Sequence, residues 1–69
     1  MDKAKLKAAL LLRGENYAKL GELLGLSSSS IYRKVQTENF TRGEIELIKE
    51  HYNLSAEEVC DIFFTQKVS

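Results

Sequence analysis

The side chains best suited to specific chemistry lie between positions 28 and 36. Ser28, Ser29, Tyr32, Arg33 and Gln36 recur at spacings that place them together on the outer side of a helix. They offer hydroxyl, amide and guanidinium groups, so this side presents several hydrogen-bond donors and acceptors but little charge. Groups of this kind bond to base edges in the major groove of duplex DNA. The pattern therefore predicts a base-contacting surface.

Two short helices joined by a tight turn are predicted to position this surface. Gly25 is expected to end the first helix, because glycine adopts the left-handed conformation of a helix end at little cost. Ser27 is expected to cap the second helix, since its hydroxyl can accept from a free backbone N–H one turn later. Ile31 and Val35 are four residues apart and give the second helix one apolar face.

Residues 17–36 resemble the helix-turn-helix of lambda-repressor-like, Cro/CI-type phage regulators. The matching positions are a small residue at Gly21, the turn glycine Gly25, and apolar residues at Leu20, Leu24, Leu26, Ile31 and Val35. The sequence departs from the family at Gly21, where alanine is usual, and at Lys34, where an apolar residue is usual. We expect the Lys34 stem to lie along the core edge with its ammonium in water. The resemblance implies one compact all-α domain of five helices, spanning residues 1–69.

The resemblance also implies contacts with the DNA backbone. Proteins of this family often meet phosphate at the start of the first motif helix, where free N–H groups suit an anion. The residues that the resemblance assigns to phosphate, at this helix start and beyond it, are Asn16, Tyr17, Lys19, Ser27, Lys34 and Arg42. For Asn16 the alternative is a helix cap only, and for Tyr17 a ring half-buried against the first helix. For Arg42 and Lys34 the alternative is a solvated side chain.

Three further helices complete the predicted domain. The first spans residues 2–13, the fourth runs from 42 to about 52, and the fifth runs to about 64. Serine or threonine followed three residues later by glutamate, at 41–44 and 55–58, predicts a capping box at the fourth and fifth helix starts. Residues 37–39 are expected to form a turn, and residues 65–69 to fray.

The charges are balanced overall but unevenly distributed. The chain has 10 basic and 10 acidic residues, which give a formal net charge of zero. Residues 1–43 contain eight basic and four acidic side chains, whereas residues 44–61 contain six acidic side chains and one basic one. Nucleic-acid binding depends on a local positive face and not on net charge. Because the chain has no net positive charge, we expect a single copy to bind DNA with modest affinity. We therefore expect the protein to bind DNA as a dimer.

The sequence gives little support for catalysis, metal binding or a cofactor. His51 is the only histidine and Cys60 the only cysteine, so no nucleophile has an evident base and no metal-ligand cluster is present. We expect Cys60 to be a packing residue. No apolar run approaches the roughly 20 residues of a membrane span, and no signal peptide is recognisable. A cytoplasmic protein that is not an enzyme is predicted.

Two functions of different classes are compatible with these features. The first is a sequence-specific transcriptional regulator, repressor- or Cro-like, that binds a double-stranded DNA operator as a homodimer. The second is a small phage antirepressor or protein-binding module that keeps the helix-turn-helix fold but binds another repressor. The zero net charge, the acidic last two helices and the apolar groups at Phe63 and Phe64 favour the second.

Overall fold

The computed structural model describes residues 1–64, which form five α-helices and no strand. The helices are α1 (Lys3–Leu12), α2 (Tyr17–Leu24), α3 (Ser28–Thr37), α4 (Arg42–Tyr52) and α5 (Ala56–Phe63). The all-α prediction is confirmed, and the tail at 65–69 lies outside the described residues. In the same part of the chain, no helix is both long and apolar enough to cross a membrane.

Every helix begins at a side-chain cap. The capping residues are Asp2, Asn16, Ser27, Thr41 and Ser55, and each accepts a hydrogen bond from the backbone N–H three residues later. Both predicted capping boxes form: Glu44 accepts from the Thr41 N–H at 2.8 Å, and Glu58 accepts from the Ser55 N–H at 3.1 Å. Since these bonds join neighbours in sequence, the helix starts are specified locally.

Three helices end at a residue in the left-handed conformation. These residues are Gly25 after α2, Glu38 after α3 and Asn53 after α4, with φ of 70°, 55° and 54°. Gly25 was expected to end its helix, and Asn53 follows the expected end of the fourth helix at about 52. Glu38 was not expected in this conformation, because it is uncommon for residues other than glycine and asparagine. The predicted turn at 37–39 begins one residue late, because Thr37 stays helical and its hydroxyl donates to the Arg33 carbonyl at 2.9 Å.

The five helices enclose a single apolar core. Its most deeply buried side chains are Leu6, Leu20, Ile31 and Ile48, one each from α1, α2, α3 and α4. The fifth helix contributes Val59, Ile62 and Phe63. The second helix packs against α3 and α4, while α5 packs against α1 and α4. The third helix is therefore held from behind, with Ile31 and Val35 as its buried anchors.

Gly21 lies at the contact between α2 and α3. A Cβ atom at this position would lie 3.1 Å from the Leu26 carbonyl oxygen and 3.1 Å from Cγ2 of Ile31. Ordinary van der Waals contact is longer, so an alanine here would require its neighbours to shift. Glycine at this position thus lets α2 and α3 pack at short range.

Alanine substitutions at two helical glycines should separate this steric cost from helix propensity. Gly43 in α4 has open space where a Cβ would be, so Gly43→Ala should stabilise the fold by about 0.5–1 kcal/mol. Gly21→Ala gains the same helix propensity, but its Cβ would crowd Leu26 and Ile31. We therefore expect Gly21→Ala to be less stable than Gly43→Ala by at least about 0.5 kcal/mol. Urea titrations of both variants measure the difference. Equal stabilisation would show that the α2–α3 contact relaxes freely.

Arg13 connects three helices, a role that the sequence did not reveal. Its guanidinium donates to the Ala9 carbonyl at 2.9 Å and to the Tyr52 carbonyl at 3.1 Å. A third nitrogen lies 3.6 Å from a carboxylate oxygen of Glu58. The side chain thereby joins the end of α1 to the end of α4 and the start of α5, and a charged donor suits the carbonyls at a helix C-terminus.

Cys60 does not pack in the core, so the prediction for this residue is wrong. Its side chain is exposed and lines a groove between α4 and α5, together with Ile45 and Phe64. The buried side of α5 is occupied by Val59, Ile62 and Phe63. A residue directly after Val59 is rotated about 100° round the helix, which turns Cys60 away from the core.

Candidate nucleic-acid interface

The outer face of α3 has all five side chains predicted to contact bases. Ser28, Ser29, Tyr32, Arg33 and Gln36 are all exposed. Arg33 follows Ile31 by two residues and so lies about 200° round the helix, on the side away from the core. Within residues 1–64, the side chains of Ser28, Ser29, Arg33 and Gln36 make no hydrogen bond or ion pair. Their donors and acceptors are thus available to a ligand.

Ser27 is engaged at the start of α3. Its hydroxyl oxygen accepts from the Ser30 N–H at 3.2 Å, and its hydroxyl donates to the Ser30 hydroxyl at 3.0 Å. The predicted cap is confirmed, and these two bonds fix the first turn of the helix. Both side chains remain exposed at the helix surface.

The start of α2 places three of the predicted phosphate residues side by side. The Asn16 side chain accepts from the Lys19 N–H at 2.9 Å, so Asn16 caps the helix, as both of its interpretations require. The Lys19 ammonium lies 3.5 Å from the Glu22 carboxylate, but both groups are largely exposed, and such a pair contributes little stability. Tyr17, between them, is half-buried.

Tyr17 also contacts the outer face of α3. Its ring meets that of Tyr32 edge-to-face, with centroids 5.6 Å apart and planes at 79°. Burial, together with the neighbouring Tyr32, raises the pKa of the Tyr17 phenol. A cleft of about 230 Å³ opens beside the pair, lined by Lys7, Leu10 and Leu11 of α1. The sequence had no signal for this contact, because it joins two helices at a separation that no periodicity describes.

The Lys34 ammonium contacts other groups of the protein. It lies 2.9 Å from the Glu44 carboxylate and donates to the Asn39 carbonyl at 3.0 Å. The side chain is only 22% exposed and its nitrogen lies 5.9 Å from the Phe40 ring centre. The stem follows the core edge as expected, but the ammonium is not simply solvated, because the first turn of α4 brings Glu44 to it. These bonds give Lys34 a structural role between α3 and α4.

Glu44 is the acidic partner in this link and also part of a capping box. Partial burial, the largest single influence, raises the pKa of its carboxyl. The hydrogen bond from the Thr41 N–H and the ion pair with Lys34 together outweigh burial, so the pKa lies below the ordinary value of 4.5. The Glu44 carboxyl therefore binds its proton at a higher pH in the unfolded chain than in the folded chain. The stability of the fold rises with pH between these two pKa values.

The Glu44 contribution should accordingly disappear in acid. It should be fully present above about pH 4.5, the ordinary value, and be lost as the pH falls through the lower folded-state pKa. Urea titrations of the parent and of Glu44→Gln, from neutral pH to about pH 3, should show their stability difference shrinking below this value. Glu46→Gln, at an exposed position on the same helix, is the control. A difference independent of pH would contradict the ionic interpretation.

Arg42 is the first residue of α4 and is exposed. Its guanidinium makes no hydrogen bond or ion pair with any other residue of the described part of the chain. Lys3, Lys5, Lys7, Lys19 and Arg33 are also exposed. Of the eight basic residues in positions 1–43, only Arg13 and Lys34 are partly buried against carboxylates of α5 and α4.

The uneven charge distribution is retained at the surface. Among the four acidic residues of positions 1–43, Glu22 and Glu38 are exposed and the other two are half-buried. The exposed acidic residues of α4 and α5 are Glu46, Glu50, Glu57, Glu58 and Asp61. The first three helices and the start of α4 therefore carry an excess of exposed positive charge, which is the electrostatic requirement for a polyanionic ligand.

Residues 1–64 contain no group of three or more His, Cys, Asp or Glu side chains that could hold a metal ion. No protein-family model, curated protein or solved structure matches the chain.

Proposed function

We propose that this protein is a sequence-specific regulator that binds double-stranded DNA through the outer face of α3. One observation carries the proposal: this face presents free guanidinium, amide and hydroxyl groups on a helix anchored from behind by Ile31 and Val35. Specific contact with base edges requires such donors and acceptors, held in a fixed orientation. A flexible loop with the same residues would lose entropy on binding.

The connection between α2 and α3 supports a helix-turn-helix of the lambda-repressor-like type. Residues 25–27 join the helices, and Gly25 in the left-handed conformation makes the turn. The Leu26 N–H donates to the Gly21 carbonyl at 2.8 Å, which fixes the chain direction leaving α2. In this motif the second helix lies in the major groove, so α3 is the proposed recognition helix.

Eight of the eleven predicted residues then have the following proposed roles. Arg33 forms a bidentate contact with guanine, and Ser28, Ser29 and Gln36 contact neighbouring bases. Asn16, Lys19 and Arg42 lie at helix starts, where side chains and free N–H groups together suit phosphate. Lys34 serves the interaction indirectly, by fixing α3 against α4 through Glu44.

The proposed regulator acts as a homodimer. A single copy has zero net charge, and a dimer of this motif contacts two half-sites about one helical turn apart. Phe64 is 58% exposed at the end of α5 and borders the groove between α4 and α5. We propose that this aromatic side chain contributes to the dimer contact. Val68, a second apolar side chain near the end of the sequence, is a further candidate for this contact and lies outside the described residues.

Phe64→Ser should shift the protein towards monomer. Sedimentation of parent and variant over a range of concentrations, alone and with DNA, measures the effect, and Leu47→Ser is a matched exposed apolar position on α4. We expect Phe64→Ser to weaken self-association and Leu47→Ser to leave it unchanged. A parent that remains monomeric at high concentration, alone and on DNA, would exclude the homodimer.

A protein-binding module is the second candidate. It is favoured by large exposed apolar side chains at Leu11, Leu12, Leu47 and Phe64, which are 64%, 84%, 47% and 58% exposed. Such groups suit a protein partner, for instance another repressor, better than they suit DNA. The two candidates differ in their response to salt.

A titration with fluorescently labelled random duplex DNA at two salt concentrations tests the proposal. A protein that neutralises phosphates binds more weakly as salt rises, because releasing the condensed counterions into a more concentrated salt solution is less favourable. We expect measurable binding at low salt that weakens strongly at physiological salt. No binding at low salt would contradict the DNA-binding proposal and favour the protein-binding module.

A further inference from the structure

Two tyrosine rings meet where the start of α2 approaches the outer face of α3. The Tyr17 and Tyr32 centroids are 5.6 Å apart and the rings are nearly perpendicular, at 79°. Tyr32 is 54% exposed, whereas Tyr17 is half-buried. An exposed tyrosine on a helix ordinarily occupies several rotamers. An edge-to-face contact with a half-buried neighbour favours one of them, so Tyr17 restrains the Tyr32 ring.

The position of Tyr32 on α3 differs from that of Arg33. Helical geometry sets Arg33 about 200° and Tyr32 about 100° round the axis from the buried Ile31. Arg33 therefore lies at the centre of the exposed side, while Tyr32 lies at its edge, next to α2. In the proposed complex, Arg33 approaches the floor of the major groove and Tyr32 lies nearer to one wall.

The cleft beside the two rings has a mostly apolar surface. Leu11 is 64% exposed there, and the lining also includes Leu10, Lys7, Glu15 and Asn16. The apolar group that the major groove presents is the C5-methyl of thymine, and side chains with apolar surface pair with it. The Tyr32 ring, which is 54% exposed, offers such a surface.

We propose that Tyr32 contacts a thymine methyl group and thereby selects a T·A pair, with Tyr17 as the positioning residue that holds its ring. This inference rests on the proposed DNA-binding function and adds to it the base that the edge of α3 selects. The contact is made by the ring carbons and not by the Tyr32 hydroxyl. Arg33 and Tyr32 then select different bases through different chemistry.

Removing single methyl groups from the DNA tests the inference. Duplexes are first selected from a random pool with the parent protein, and each thymine is then replaced in turn by deoxyuridine, which lacks only the methyl. We expect one position per half-site at which the replacement weakens parent binding about fourfold, the effect of burying one methyl-sized group. The same replacement should have no effect on Tyr32→Ala, and its full effect on Tyr32→Phe.

The role of Tyr17 is tested with the same duplexes. Tyr17→Leu removes the ring, so it should reduce the ratio of the affinities for the thymine and deoxyuridine duplexes. Loss of a phosphate contact by Tyr17 would weaken both duplexes equally and leave this ratio unchanged. Tyr17→Phe keeps the ring and should retain the parental ratio. Circular dichroism of each variant confirms that its helix content is unchanged, and Tyr32→Ala tests the methyl contact independently of Tyr17.

The results that would overturn this inference differ from the result that would overturn the proposed function. The inference is overturned if no thymine methyl matters to the parent, or if the methyl effect persists in Tyr32→Ala. Disappearance of the methyl effect in Tyr32→Phe overturns it too, because that result assigns the contact to the hydroxyl and not to the ring carbons. A parent that binds no duplex at low salt overturns the proposed function itself, and this result is visible before any thymine is replaced.

Discussion

Ile31→Ala is expected to leave the chain largely unfolded at physiological temperature. Ile31 is fully buried, lies against Gly21 at the α2–α3 contact and anchors α3 to the core. Truncating a buried isoleucine to alanine costs about 2–5 kcal/mol. A core in a chain this short rarely provides more than about 3–5 kcal/mol without disulfides or metals. The loss is therefore comparable with the whole stability of the fold.

Thermal unfolding followed by circular dichroism measures the effect. Leu47→Ala is the matched control, because it removes similar apolar volume from a side chain that is 47% exposed. The control should change stability by no more than about 1 kcal/mol. A cooperative transition of Ile31→Ala at the parental temperature would show that the helix does not depend on this anchor.

Arg33→Ala should reduce sequence preference more than it reduces general affinity for DNA. Arg33 lies opposite the core on α3 and has no partner among residues 1–64, so its guanidinium is free to reach O6 and N7 of a guanine. Loss of this contact should cost about 1–3 kcal/mol on a selected duplex and little on random DNA. The measurement is the ratio of the two affinities across a salt series.

Arg42→Ala should have the complementary effect. Arg42 begins α4 and is assigned to phosphate, so its loss should weaken binding to both duplexes similarly and reduce the salt slope by about one. Lys49→Ala, which removes one positive charge from the same helix, is the control and should change the slope less. An unchanged affinity ratio for Arg33→Ala would show that Arg33 does not select a base. If none of these variants alters DNA binding, the outer face of α3 belongs to a protein partner.

The positions of the helices were largely determined by the sequence. The starts at Asn16, Ser27, Thr41 and Ser55 were predicted and are formed, since a cap needs only a side chain and an N–H three residues away. Burial of Ile31 and Val35 was equally predictable, because helical periodicity assigns each residue to a face. The exposure of the five base-contacting candidates follows from the same rule.

Tertiary structure decided which groups meet across helices. The pairing of Lys34 with Glu44 and the bridge from Arg13 to Tyr52 and Glu58 depend on how helices are oriented, which periodicity does not specify. The same limit explains why Cys60 was wrongly assigned to the core: it lies at the boundary of a face, where packing of α4 against α5 decides exposure.

The candidate interface shows the same division. The sequence alone determined that α3 presents hydrogen-bonding side chains opposite an apolar stripe, because both sets belong to one helix. Only the tertiary structure brought Tyr17 to Tyr32, since their contact depends on the short α2–α3 distance that Gly21 permits. Interactions within a helical turn are fixed by neighbours in the chain, whereas interactions between helices are fixed by the packing of the whole core.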